Sequence, residues 1–456
     1  MKKIITLGLI SLICFSFIHF IEDDPVPIPA SKQRVGNADA GYQYVITGDY
    51  VKSGIPFGLY GLLFKKEKTD LLNRGGDNAQ VRFDFNVVKA YNDETIVVPN
   101  CLQCHAEVFD GKLIVGLGNS SGDFTADQKL NSKFMEKAMN TYMKLSPKKY
   151  EAAKDFLRVY QTIGTQLFTE MIGPNPADRL AALLAAHRDP ETFQWNEKSS
   201  VVVPQQVIPS DVPAWWLLKK KNAMFYNGFG RGDFGKFLMG STLLTTGDTN
   251  HAREVDGHMP DVLAFIYSIQ PPKYPFAFDE KLAGEGKIIF EVTCSRCHGT
   301  YGPAGQYPNL LIPESIIGTD SFLNKSNYQY SDLIDWYNKS WFSKGDHPAK
   351  LAPFNGYIAP PLDGVWITAP YFHNGSVPTI EAVLNSKIRP TYWTRSFDST
   401  NYDHEKLGWQ YRSLPAPGDK HIYNTTIAGY GNYGHQFGDH LTDAERKAVI
   451  EYLKTL

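Results

Sequence analysis

The chain contains two copies of one five-residue pattern, CLQCH at residues 101–105 and CSRCH at residues 294–298. In each copy two cysteines stand three positions apart, and a histidine follows the second cysteine directly. The chain has five cysteines, and the fifth is Cys14 in an apolar N-terminal run. The two pentapeptides therefore use every cysteine outside that run, and any explanation of them must include the histidines.

The cysteine and histidine spacing is typical of covalent haem attachment. Two thiols add across the two vinyl groups of a porphyrin, and the adjacent histidine becomes the proximal iron ligand. A redox dithiol or a four-cysteine zinc site would leave the two histidines unexplained. The sequence therefore predicts two covalently bound haem c groups. The residues that bind them are Cys101, Cys104 and His105 for the first haem, and Cys294, Cys297 and His298 for the second.

The N-terminal residues have the pattern of an export signal, because two lysines precede an apolar run over residues 4–21 and two aspartates end it. A run of about 18 apolar residues is also just long enough to cross a bilayer. We expect residues 1–24 to be a cleaved signal or an N-terminal anchor. Cys14 is a candidate lipid attachment site, although Ile13 stands where a small residue is usual. The expected location is periplasmic or secreted, with membrane attachment only through this segment if it is not cleaved.

Composition and length indicate a large packed protein with more than one domain. Of the 456 residues 43% are hydrophobic and 21% charged, and the net charge of -2 gives no reason to expect nucleic acid as a partner. Pro271, Pro272 and Pro275 mark a boundary. We expect residues 25–275 to form an N-terminal haem domain with a β-rich lead-in, and residues 276–456 to form a C-terminal cytochrome c-like haem domain.

Local patterns predict a mainly α fold, in which two cytochrome c-like haem domains carry extended loops and short β segments. Residues 42–47 and 95–98 are apolar stretches between turn residues and are expected to be strands. Residues 280–292 predict a helix that runs into the second pentapeptide. A helix is also expected over residues 441–456, where Thr442 and Glu445 form a capping box.

Four stretches carry a family resemblance. The segment APYFHNGSVPT at residues 369–379 resembles the signature of the dihaem cytochrome c peroxidase and MauG superfamily. Three further stretches are similar to the rubber oxygenases within it. They are NCLQCH at 100–105 with GLGN at 116–119, PAWWLLKKK at 213–221, and GNYGHQFG at 431–438. The resemblance covers about residues 90–456.

The resemblance implies roles for several residues. It assigns His435 as the second axial ligand of the second haem. It also implies an aromatic side chain, Trp215 or Trp216, near the first haem and towards the second, to carry an electron or shape the pocket. Phe234 is a further candidate for an apolar distal pocket. The lysines 219–221 are expected to form a solvated face.

The sixth iron ligands decide the function, because a haem with two strong protein ligands transfers electrons and an open face binds small oxidants. No methionine follows Met259, so the second haem has no methionine available from its own domain. Its candidate ligands are a tyrosine or one of the histidines His347, His373, His404, His421, His435 and His440.

The first haem is expected to have a vacant or weakly ligated distal face, because no histidine lies between His105 and His187. A distal histidine close to the first motif, as in the peroxidase branch, is therefore missing. A distant histidine or one of four methionines could close this face instead. The methionines are Met135, Met139 and Met143, which share one face of a predicted helix, and Met239.

These observations favour an exported haem oxidoreductase. Its first haem activates dioxygen or peroxide, its second haem is a bis-histidine electron reservoir, and its substrate is apolar by analogy with polyisoprene cleavage. The alternatives are a dihaem cytochrome c peroxidase and a non-enzymatic electron carrier. Expected partners are an electron donor or acceptor protein such as a small cytochrome, and a small oxidant. A calcium ion stays open as a further cofactor.

We predict that the double substitution Cys294→Ala with Cys297→Ala leaves one covalent haem, because each pentapeptide holds its own group. The denatured protein should lose the mass of one haem and keep a haem-stained band. The matched pair Cys101→Ala with Cys104→Ala should give the same mass, and Cys14→Ala should keep both haems. Two haem masses in either double variant would refute the assignment.

Overall fold

The computed structural model describes residues 24–64, 66–125, 137, 140–141, 144 and 146–456. The N-terminal export segment, Cys14 and the methionines 135, 139 and 143 lie outside these residues. The predictions for them therefore stay predictions.

Helices make up most of the regular structure, and the expectation of a mainly helical chain with short strands is confirmed in this coarse form. The α-helices are α1 (Ala38–Thr47), α2 (Phe57–Leu63), α3 (Leu102–His105), α4 (Pro147–Ile163), α5 (Ala177–Ala186), α6 (Phe234–Leu238), α7 (Thr249–Ser268), α8 (Glu280–Thr293), α9 (Ser295–His298), α10 (Glu314–Ile317), α11 (Phe322–Gln329), α12 (Asp332–Lys339), α13 (Ile380–Leu384) and α14 (Asp443–Leu453). Short 3-10 helices lie at Gly76–Gln80, Gly164–Gln166, Trp215–Lys220, Met239–Leu244, Trp341–Ser343, Val365–Ile367, Ser386–Ile388 and Ser399–Asn401.

The strands are short, and they form sheets of two or three members within the described ranges. They are β1 (Val26–Pro27), β2 (Ile55–Pro56), β3 (Phe85–Lys89), β4 (Thr95–Pro99), β5 (Ala106–Phe109), β6 (Lys112–Val115), β7 (Gly230–Gly232), β8 (Leu310–Pro313), β9 (Ala349–Leu351), β10 (Gly356–Ile358), β11 (Tyr392–Arg395), β12 (Tyr402–Asp403), β13 (Gly408–Trp409), β14 (Tyr411–Leu414) and β15 (Tyr423–Asn424). All their pairings are antiparallel, and β4 leads directly into the first pentapeptide, as predicted for residues 95–98.

The helices α8 and α14 form the main helix pair of the C-terminal half. Their closest approach is at Gly286, where a Cβ would overlap the Ala448 carbonyl oxygen. The N-terminus of α8 is capped by Asp279, and α14 begins with the predicted capping box of Thr442 and Glu445. The pair buries Phe290 against Tyr452 and so fixes the end of α8, from which the second pentapeptide continues.

The N-terminal half has a similar pair, α1 with α7, where Gly41 contacts the backbone at Asp261. Residues 42–47 belong to α1, so the prediction of a strand there is wrong. Asn37 caps this helix, since its side chain accepts a hydrogen bond from the Ala40 amide. The apolar residues Val45 and Ile46 are buried in the first core. Packing on α7 decides the helix, because the local pattern alone is equally compatible with a short strand.

Strands and helices of each half pair or pack with the other half across the expected boundary. No helix or strand occupies residues 269–279, which fits a connection there. However, β1 pairs with β8, β7 pairs with β9, and the α12 residues Ile334 and Trp336 belong to the core that also contains Trp215. The division at 275 therefore stays a prediction, and each half contributes to the surroundings of the other.

Within the described ranges, no helix combines the length and the apolar character that crossing a membrane requires.

We predict that Gly286→Ala lowers the free energy of unfolding by about 1–3 kcal/mol, since the added methyl group must separate α8 from α14. Gly284→Ala is the matched control on the same helix. A Cβ at Gly284 meets no atom within 4 Å, so this change should be neutral or stabilise by up to about 1 kcal/mol through helix propensity. Urea unfolding followed by circular dichroism measures both. Equal stability of the two variants would contradict the close helix contact.

Candidate haem sites

A cavity of about 480 Å³ lies beside the second pentapeptide. Cys294, Cys297 and His298 line one side of it, and His435 lines it from the loop before α14. Most of the remaining wall is apolar, from residues such as Phe290 and Leu453 of the α8 and α14 pair. We call this space the large cavity. It combines the cysteine and histidine donors of a haem motif with an apolar wall.

The His298 and His435 rings both line the large cavity, and their planes are inclined by 63°. Their ring centroids lie 6.1 Å apart. Two metal–nitrogen bonds of about 2 Å, together with the distance from each bonding nitrogen to its ring centre, add up to about this separation. The His298 Nδ1 atom lies 2.8 Å from the Pro360 carbonyl oxygen, which leaves Nε2 for a metal. The pair is thus spaced to ligate one iron from opposite sides.

His435 reaches this position through an unusual backbone conformation. Its φ is +45°, and the preceding Gly434 has φ +75° and packs where a Cβ would overlap the Gly318 backbone. The His435 amide donates a hydrogen bond of 2.8 Å to the Ile317 carbonyl. A residue other than glycine at 434 would push the loop away from α10. The Gly-rich composition around His435 therefore has a geometric cause.

The segment 373–376 holds the same loop from the other side. The Asn374 amide donates hydrogen bonds of 2.9 and 3.0 Å to the Gly429 and Gly431 carbonyls, and the Ser376 hydroxyl donates a third, of 3.0 Å, to Gly431. Arg389 also donates to the carbonyls of Gly434 and His435 at 2.6 and 3.0 Å. These buried bonds fix where the His435 ring stands.

Burial keeps the histidines neutral and the cysteines protonated. It lowers the pKa of His435 to about 3, with a smaller contribution from His298, and it lowers the pKa of His298 as well. It raises the pKa of Cys294 to about 12 and that of Cys101 to about 11. Neutral imidazoles are the form that binds metal, whereas such cysteines lack the thiolate character of a redox dithiol. The four described cysteines form no disulfide.

The first pentapeptide follows β4 and is held by the GLGN stretch. The Gly116 amide donates a 2.8 Å hydrogen bond to the His105 carbonyl, and the Gly116 carbonyl accepts one of 2.8 Å from the Trp215 amide. The Asn119 amide donates to the Cys104 carbonyl. Gly116 thus brings His105 and Trp215 together, although 110 positions separate their places in the chain.

Trp215 stacks on His105. Their ring centroids are 4.7 Å apart and the planes differ by 21°. Burial lowers the pKa of His105 to about 4, and the Pro213 carbonyl opposes this shift, although His105 Nδ1 makes no hydrogen bond of good geometry. Trp215 therefore borders the histidine of the first site. In both sites a proline carbonyl lies close to the motif histidine.

Trp216 faces the opposite way. Its indole nitrogen donates a 2.8 Å hydrogen bond to the Asp363 carbonyl, and its ring belongs to the core that contains Phe290 and α14. Trp215 belongs to the other core. Two consecutive tryptophans thus enter the two separate cores, Trp215 beside His105 and Trp216 in the core that contains Phe290.

A second, smaller cavity of about 20 Å³ lies beside Cys101. Trp215, Met239 and Met259 line it, and so does Tyr50, whose hydroxyl accepts a 3.1 Å hydrogen bond from the Cys101 amide. Phe234 is buried in the same core but does not border this space. The two methionines therefore approach the first motif more closely than the predicted pocket residue does.

The other histidines lie outside these positions. His187 is turned away, with Nδ1 2.9 Å from the Asn196 carbonyl and its ring stacked on Trp195. His373 lines the large cavity and stacks on Tyr357, beside the His298–His435 pair. In the described ranges, His435 is the histidine whose ring contacts a motif histidine.

Residues 356–394 match the family model described as RoxA-like, cytochrome c-like. This match links the chain to the cytochrome c family. A cytochrome c-like domain implies covalently bound haem c and suggests a haem oxidoreductase. The matched residues include Pro360, Asn374, Ser376 and Arg389, which orient His298 or hold the loop that carries His435.

Two proteins of Sinorhizobium fredii (strain NBRC 101917 / NGR234) are similar to this chain. Uncharacterized protein y4iJ is 42% identical, over 45% of this chain and 44% of that protein. Uncharacterized protein y4iM is 24% identical, over 59% of this chain and 69% of that protein. The chain thus spans less than half the length of y4iJ.

The residues at the second site fit a haem, because the donor set, the apolar wall and the His298–His435 spacing agree. The first site has the same donor set, and its cysteines and His105 are partly accessible to an incoming group, whereas the enclosed space beside Cys101 is only about 20 Å³. Calcium has no comparable support. No group of three or more His, Cys, Asp or Glu side chains in the described part of the chain is arranged to hold a metal ion.

We predict that His435→Ala abolishes the low-spin signal of the second haem and gives an open or water-bound iron, since the variant loses one strong ligand. Electron paramagnetic resonance of the oxidised protein measures the change. His421→Ala is the control, because this exposed ring lies 3.2 Å from the Asp419 carboxylate and does not line the large cavity. A low-spin signal that survives in His435→Ala would move the assignment to His373 or a tyrosine.

Proposed function

We propose that the chain is a dihaem c-type cytochrome oxidoreductase of the peroxidase and MauG superfamily, most similar to the rubber oxygenases. The observation that carries the proposal is the pair of rings at His298 and His435, spaced for one iron across a cavity that both cysteines of the motif line. Two imidazole ligands leave an iron without a free position. The second site is therefore the electron-transfer site, and small-molecule chemistry belongs to the first.

The first site supports an open iron. Trp215 is the aromatic ring in contact with His105 in the described residues, and His187 is engaged by Asn196. A haem with one strong ligand supplies a position for dioxygen or peroxide when bound. The chain contributes a neutral His105, whose pKa is lowered to about 4, and an indole that stacks on its ring.

Trp215 and Trp216 support electron exchange between the sites. The Trp215 indole stacks on His105, and the Trp216 indole packs in the core that contains Phe290. The two residues are directly bonded along the backbone. An electron stored at the second site thus has a short route to the first. The proposed partners are a small oxidant and an electron-donating or electron-accepting protein, and the proposed location is outside the cytoplasm.

A non-enzymatic electron carrier is the second candidate, because Met239 and Met259 line the space beside Cys101. A thioether is a common sixth ligand of cytochrome c haems. If Met239 binds the first iron, both haems are fully ligated and neither reacts with gases.

We predict that carbon monoxide binds the reduced protein at the first haem alone, because His435 occupies the second. A difference spectrum should show one binding site per chain in the wild type and two in His435→Ala. Met239→Leu is the control for the carrier. Wild-type protein that ignores carbon monoxide, together with binding in Met239→Leu, would establish the carrier and overturn the enzyme.

Substrate turnover separates the two enzymatic alternatives. Cleavage of polyisoprene with dioxygen uptake supports the oxygenase, and reduction of peroxide at the expense of a reduced small cytochrome supports the peroxidase. Both assays use the protein with two haems attached, whose content is first confirmed by mass.

A further inference from the structure

The three lysines at 219–221 have different surroundings. Lys219 lies 3.2 Å from the Gln270 side-chain oxygen, and Lys220 makes a 2.7 Å ion pair with Asp363. Lys221 instead lines the large cavity. The prediction of a solvated face is therefore wrong for Lys221, because the 3-10 helix Trp215–Lys220 ends just before it and directs the chain along the cavity wall.

Lys221 has no anionic partner among the described residues. Its ammonium group takes part in no ion pair or side-chain hydrogen bond there, in contrast to the two lysines before it. Burial alone lowers the pKa of Lys221 to about 8, and no acidic side chain is close enough to oppose this shift. Lys221 is half-buried in the wall of a mostly apolar cavity. A cation that loses water there without a counter-charge is costly, so the position favours binding of an anion.

The acidic side chain that lines the large cavity beside Tyr226 is not that anion. The Asp211 carboxylate accepts a 2.6 Å hydrogen bond from the Tyr226 hydroxyl and is influenced by Glu107 and Arg395 rather than by Lys221. A further polar group in the wall, the Thr319 hydroxyl, is buried and has no hydrogen-bond partner. The large cavity thus offers a donor and a cation to a guest that carries oxygen atoms.

A haem brings two carboxylates with it, on the propionate side chains. We propose that the Lys221 ammonium group binds a haem carboxylate at the second site and raises the reduction potential of that haem. The inference rests on the proposed function, which places a haem in the large cavity. A positive charge near the iron disfavours the ferric form, which carries one more positive charge than the ferrous form.

The test is a spectroelectrochemical titration of Lys221→Met, Lys221→Arg and Lys219→Met proteins that carry both haems. Lys221→Met should lower the equilibrium constant for reduction of the low-spin haem about tenfold, which corresponds to about 59 mV for one electron. Lys221→Arg keeps the charge and should stay within about threefold of the wild type. Lys219→Met, the matched neighbour outside the cavity, should not change it. The potential of the first haem serves as an internal control.

Resonance Raman spectra give an independent readout, since the propionate bending band of the second haem responds to the group that binds it. This band should shift in Lys221→Met and, by a smaller amount, in Lys221→Arg. An unchanged band and potential in Lys221→Met overturn the proposal. If the Lys221→Met protein does not fold or attach its haems, the propionate bending band of Lys221→Arg is the test, and an unchanged band there overturns the proposal.

Failure of the proposed function has a different signature. It would appear as the absence of a low-spin bis-histidine signal from wild-type protein, before any lysine is changed. A normal wild-type signal with unaltered lysine variants refutes the Lys221 contact alone.

Discussion

Three buried hydrogen bonds from Asn374 and Ser376 to the carbonyls of Gly429 and Gly431 hold the loop on which the second site depends. Each is worth only about 1 kcal/mol net, but loss of the donor leaves a buried carbonyl unsatisfied at a cost of about 1–3 kcal/mol. The loop has almost no regular structure of its own. Its backbone carbonyls therefore need side-chain donors. Asn374 and Ser376 supply them, and these bonds hold the loop that carries His435.

The two halves share a construction but differ in what lies opposite the motif histidine. Each half has a helix pair that crosses at a glycine, Gly41 in one and Gly286 in the other, and each motif histidine lies near a proline carbonyl. The second half then brings a histidine to the opposite side of the cavity. The first half stacks an indole on its histidine instead. This asymmetry is the basis of the proposal that one site transfers electrons and the other reacts with a small oxidant.

Much of the site could be predicted from short-range pattern. The pentapeptides, α8 and the capping box of α14 are local features, and the structure has the two helices close to where the sequence predicts them. The assignment of His435 as a ligand rests on a resemblance, since the residues alone left six histidines and a tyrosine open. The contact of the Pro360 carbonyl with His298 could not be predicted, because every residue type has a backbone carbonyl. The helix at 42–47 and the cavity position of Lys221 depend on partners far away in the chain. The local pattern therefore predicts a strand and a solvated side chain, and both predictions are wrong.

The strand β1 has a consequence for the order of assembly. Val26 and Pro27 pair with Leu311 and Leu310, and the adjacent Pro25 borders the large cavity. Val26 and Pro27 are synthesised early, but they can pair only after β8 has been made, when more than half of the chain is complete. Until then the cavity lacks one part of its rim. The N-terminal strand thus completes the rim of the large cavity only after residues 294–313, which include the second pentapeptide and β8, have been made.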